Sequence, residues 1–112
     1  MGQYHKVFNL DKKEMLHPHR LYCGLKLYEF ATGGPVMAAL SYLLACSPGR
    51  GGGDWDRGKL AGTWAGDRIA IVGDYAEPTD IPGMDASAIY DDESYKDIST
   101  EVRAAFPDCA TA

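Results

Sequence analysis

"ATGGPVMAALSYLLACSPGR", residues 31–50, decides how this chain folds. Pro35 suits a first helical turn, where its missing N–H has no intrahelical partner to lose. From Val36 to Cys46 only Ser41 is strongly polar, so the segment is apolar on nearly every side. A short helix of that composition is buried. At roughly half the length of a bilayer span, it reads as the central core helix, over 35–46, of a water-exposed domain. Ser47-Pro48-Gly49 ends it.

Upstream, "QYHKVFNL" (3–10) places Tyr4, Phe8 and Leu10 on one parity and Val7 on the other. Aromatic and β-branched residues at period two predict a strand. A turn at Asp11–Lys12 leads to a second short strand near 13–17, closed by Pro18. "GLKLYEF" (24–30) fits a strand by Leu25 and Leu27 and a helix by Leu27 and Phe30; one or two helical turns are favoured.

Downstream, "LAGTWAGDRIAIVGDY" predicts a second hairpin. Its arms are Thr63–Trp64 and Arg68–Val72, joined through Ala65-Gly66-Asp67, where glycine and aspartate supply turn conformations. Residues 76–93, rich in Pro, Gly and Asp, read as a long surface loop. "DISTEVRAAF" reads as a closing helix over 99–106, with Ser99 as N-cap and Ile98, Val102 and Phe106 on one face. The expected fold is α+β in one domain over residues 1–112. Two β-hairpins form a small antiparallel sheet, packed on the buried apolar helix and flanked by the C-terminal helix.

Composition narrows the function classes. The 112 residues are 46% hydrophobic, a globular composition, and carry a net charge of -5. A phosphate backbone is met with a surplus of Lys and Arg, so nonspecific nucleic-acid binding is disfavoured. The acidity suits a basic partner. No secretory apolar run opens the chain, and Lys6 occupies the place where a myristoylation signal carries Ser or Thr. Cys23, Cys46 and Cys109 are odd in number and widely spaced, and read as reduced thiols of a cytoplasmic protein with no membrane segment.

Taken together, "MGQY…NLDKKE…LHPH", "GLKLYEF", "GRGGGD" and "WAGDRIAIVGDY" resemble a family of small uncharacterised actinobacterial and mobile-element proteins. The resemblance covers most of residues 1–75 and brings no activity, cofactor or site residue. A mobile-element setting implies an inhibitor or regulator that binds a host macromolecule.

Three constellations carry candidate chemistry. His17, His19 and Cys23 have the ligand types of a zinc site, although the intervening Pro18 keeps the histidines off one helix face and no CxxC accompanies them. Thr32, Gly33 and Gly34 precede the buried helix, where free amides suit an anion, yet the spacing matches no nucleotide-binding loop. Asp54, Asp56, Asp67 and Asp74 all fall in predicted turns, as a magnesium cluster or as ordinary solvated turn residues. No Ser-His-Asp or Cys-His arrangement is present, and no cofactor is indicated.

The segment "GRGGGDWD" (49–56) sets Trp55 on a glycine-rich stretch with Arg50, Asp54, Asp56 and Arg57 around it. It is either a lid whose tryptophan folds over the core or a recognition loop with Trp55 as anchor, and recognition is favoured. The leading expectation is a non-enzymatic binding protein whose partner is another protein. The alternative is a small metal- or nucleotide-dependent enzyme built on His17, His19, Gly33, Gly34 and the turn aspartates.

Overall fold

The computed structural model describes residues 3–32, 34–46 and 60–105. The domain is α+β, with a four-stranded mixed sheet and three helices among the described residues. The strands are β1 (His5–Asn9), β2 (Glu14–Leu16), β3 (Ile69–Gly73) and β4 (Lys96–Asp97), arranged β3-β1-β2-β4. The helices are α1 (Leu27–Ala31), α2 (Pro35–Leu44) and α3 (Ser99–Ala105). None of the helices is long and apolar enough to cross a membrane.

The first hairpin forms where the alternation predicts it. β1 and β2 pair antiparallel with Val7 opposite Leu16 and Phe8 opposite Met15. The turn is held by Asn9, whose Oδ1 accepts from the amides of Asp11 (3.0 Å) and Lys12 (2.9 Å). Pro18 ends β2 and opens a 3₁₀ turn, Pro18–Leu21.

The two faces of the sheet are buried by different material. Val7 and Leu16 join Leu21, Phe30, Val36, Leu43, Trp64 and Val102 in a core on the helical side. Phe8, Met15 and Val72 point the other way and pack with Ile89 and Tyr95. The segment after β3, expected as a surface loop, therefore forms a covering layer. It does so through turns and a short 3₁₀ piece, Ala86–Ala88, rather than through periodic structure.

α2 buries Val36, Ala39, Leu40 and Leu43, one stripe at helical spacing. Met37 and Ser41 are exposed, so the helix is embedded on one side and not on all. Gly34 precedes it at φ 93°, a left-handed conformation in which a side chain is strained.

The second hairpin departs from expectation. Residues 60–66 are turns, and Thr63–Trp64 is not a strand. Their amides are used elsewhere: Gly62 N–H donates to Tyr42 O and Trp64 N–H to Leu43 O, both at 2.9 Å. These carbonyls belong to the last turn of α2, which leaves them without intrahelical donors. β3 accordingly pairs antiparallel with β1. β4 adds to β2 in parallel, which makes the sheet mixed rather than purely antiparallel. Gly66, at φ 82°, supplies the left-handed turn residue expected there.

Ser99 does not cap α3 with its own side chain. Its amide donates to Asp97 Oδ1 at 2.9 Å, while its hydroxyl accepts the His17 amide at 2.7 Å. Asp97 Oδ1 thus satisfies the first amide of the helix, and Ser99 ties the helix to the end of β2. Phe106 lies outside the described residues.

Candidate functional site

Several residues singled out in the sequence fall outside the described segments: Arg50, Asp54, Trp55, Asp56, Arg57, Gly33 and Cys109. Thr32 directs its hydroxyl to Tyr28 O at 3.3 Å. Gly34 O accepts from Ala38 N–H as the first helical bond of α2.

His17 and His19 stand with ring centroids 5.7 Å apart. Cys23 returns over the 3₁₀ turn through its amide, which donates to Pro18 O at 2.9 Å. Among the described residues no three His, Cys, Asp or Glu side chains gather into a metal-binding group. Asp67 and Asp74 lie beyond opposite ends of β3, roughly 20 Å of extended chain apart. Each has a local task. Asp67 accepts from Asn9 Nδ2 at 2.9 Å and pairs with Lys12, and Asp74 Oδ1 accepts from the Tyr4 amide at 2.9 Å.

The structure instead brings together a set that the sequence reading passed over. A cleft of about 260 Å³ opens between the sheet and residues 90–95, floored by Phe8 and Met15 and walled by Lys6, His17, Tyr90 and Tyr95. Its position follows from strand alternation. Lys6 and Phe8 share the face opposite Val7, and Met15 and His17 share the face opposite Leu16. Lys6 Nζ sits 4.1 Å from the Tyr90 ring centroid, and Lys13 Nζ 4.6 Å from that of Tyr95. Tyr95 packs edge-on against Phe8, with centroids 5.2 Å apart.

Burial sets the protonation of this wall. It pushes the Tyr90 and Tyr95 phenols up and, with Lys6 nearby, pulls the His17 imidazole down. Tyr95 is only 6% exposed, and its hydroxyl has no hydrogen-bond partner among the described residues; His17 Nδ1 is likewise unpartnered.

Near Tyr90 in the cleft wall, aromatic rings meet carboxylates. Tyr4 and Asp74 exchange two bonds, Tyr4 N–H to Asp74 Oδ1 and Asp74 N–H to Tyr4 O, both 2.9 Å. Tyr4 is 44% exposed and Tyr75, next to Asp74, is 57% exposed. The Tyr90 phenol feels the negative charge of Asp74 and Asp91 and lies within reach of Tyr4. Neither Asp74 nor Asp91 forms an ion pair among the described residues. The sequence signal was present in "IYDDESY" (89–95), where tyrosines alternate with acids, but a loop has no period to reveal which side it presents.

Comparison with family models, with curated proteins and with solved structures found no match for this chain.

Proposed function

We propose that this is a non-enzymatic binding protein that docks a basic segment of another protein on the tyrosine–carboxylate cluster. The observation that supports the reading is the grouping of Tyr90 and Asp91, in the cleft wall, with Asp74 and the exposed Tyr4 beside them. Tyrosine offers a large, rigid contact surface with a polar tip, and it is enriched where proteins anchor one another. A guanidinium or ammonium can lie over such a ring while its charge meets a carboxylate, a contact worth about 0.5–2 kcal/mol. The net charge of -5 steers a cationic partner towards the protein.

The mobile-element resemblance supports a partner of host origin, such as a macromolecule this chain inhibits or regulates. Titration of fluorescent Arg-containing peptides against the protein tests the reading, with acidic and neutral peptides as controls. Tyr4→Ala with Asp91→Asn should weaken Arg-peptide binding at least about tenfold without lowering the melting temperature. Equal binding of acidic and basic peptides would remove the reading.

A further inference from the structure

We propose that the free edge of β3 pairs with the same edge of a second copy of this chain. The two strands would form an antiparallel ladder centred on Ile71.

The hydrogen-bond parity of the sheet defines what that edge offers. Leu10 N–H donates to Arg68 O at 2.8 Å and Asp74 N–H to Tyr4 O at 2.9 Å. Residues 68, 70, 72 and 74 therefore direct their backbone groups at β1, since hydrogen-bonded and non-bonded pairs alternate in an antiparallel ladder. The backbone groups of Ile69, Ile71 and Gly73 point outward, and of these Gly73 O already accepts Ala76 N–H at 3.1 Å. Among the described residues β3 is the terminal strand of the sheet on that side. Its five residues, IAIVG, contain no charge or proline, the usual devices that keep an edge from pairing. Ile71 at the centre is 43% exposed.

A two-fold axis through Ile71 makes this edge self-complementary in three respects. Ile71 meets Ile71 as a hydrogen-bonded pair and Gly73 N–H meets Ile69 O, while Ile69 N–H shares Gly73 O with the Ala76 N–H it already accepts. Arg68 of each copy then stands opposite Asp74 of the other, on the same face of the joined sheet. Sliding the register by two residues in either direction places Arg68 against Val72 or Ala76 and loses both charge pairs. Both charges retain capacity: Arg68 uses Nε on Asp11, leaving its terminal nitrogens, and Asp74 uses only Oδ1 on Tyr4. Finally, a groove of about 190 Å³ lies beside Gly73, lined by Ile71, Ala76 and Ile81, where the pairing brings Ile69 of the second copy.

Sedimentation velocity on the whole chain, from about 1 to about 500 µM, tests the pairing. The weight-average mass should climb from 12.2 kDa towards twice that value. Ile71→Pro removes one outward N–H and leaves the β1 ladder intact, and it should hold the protein as a monomer. Arg68→Asp and Asp74→Arg should each weaken association at least about tenfold, while the double variant recovers to within about threefold of the native chain. Circular dichroism checks folding, and should Ile71→Pro not fold, the charge-reversal set decides alone. A native chain that stays monomeric, a dimer that survives Ile71→Pro, or a double variant without recovery overturns the proposal.

Discussion

Trp64 Nε1 donates to Glu14 Oε1 at 2.8 Å, joining the turn after α2 to the middle of the sheet. The indole is fully buried, and Glu14 opens β2 opposite Asn9. This bond is why the tryptophan can sit inside the core with its polar atom satisfied. Trp64→Ala is expected to cost about 3–5 kcal/mol of stability. Trp64→Phe, which keeps most of the apolar volume but strands the Glu14 carboxylate, is expected to cost about 1–3 kcal/mol. Urea denaturation of both variants checks this, and a loss below about 1 kcal/mol for the alanine would mean that Trp64 is not a core residue.

Asn9 is buried and hydrogen-bonded through both its carbonyl and its amide group. Its carbonyl takes two turn amides, and its amide group donates to Asp67, so one side chain shapes the β1–β2 turn and holds the approach to β3. Asn9→Ala should lose about 2–3 kcal/mol, since donors in a partly buried turn are left unpaired. Asn9→Asp keeps the turn acceptors but sets a carboxylate against Asp67, so it should recover little. Thermal melts of the two variants provide the comparison.

The His17 imidazole is held below its ordinary value of 6.5, first by burial and then by the Lys6 charge. The folded state therefore favours the uncharged ring, and the unfolded chain binds the proton more readily. Its contribution is complete above pH 6.5 and is lost as pH falls through the lower folded-state value. Asp11, Asp67 and Asp92, lowered by hydrogen bonds to Arg68, Asn9 and Ser94 respectively, act in the same sense below 3.8. Melting temperatures between pH 7 and 5 should fall for the native chain and change less for His17→Gln. An NMR titration should place the His17 midpoint under 6.5.

Gly34 adopts φ 93° with open space where a Cβ would project. Gly34→Ala meets no steric neighbour, so its cost is conformational alone, about 1–3 kcal/mol. A stabilising effect, measured by chemical denaturation, would show that the chain enters α2 by another route.

Hydrogen exchange distinguishes the two layers on the sheet. The amides of Ala39, Leu40 and Leu43 are expected to exchange only through global unfolding, because their side chains are in the main core. Amides in 76–88, in turns without a ladder, should exchange much faster. Fast exchange across α2 would contradict its place in the core.

Local chemistry determined much of this fold. Alternating Tyr4, Phe8 and Leu10 against Val7 set the first strand and its two faces, Pro18 ended the hairpin, and Pro35 began α2. Each of these features depends on neighbours a few residues away, so it can be read along the chain. Partner choice was not local. Thr63–Trp64 has strand-forming residues, but the end of α2 claimed its amides, and β3 turned to β1. Ser99 has the residue type of a cap, yet its hydroxyl was taken by His17 from a segment 82 positions away. The cleft required the same kind of decision: Lys6 and Tyr90 meet only because a loop without periodicity folded over a strand. Propensity and alternation act through the backbone of adjacent residues, so the sequence by itself determined where elements begin and which side they bury. Only the tertiary structure decided which donors met which acceptors, because those matches depend on the three-dimensional placement of residues far apart in the chain.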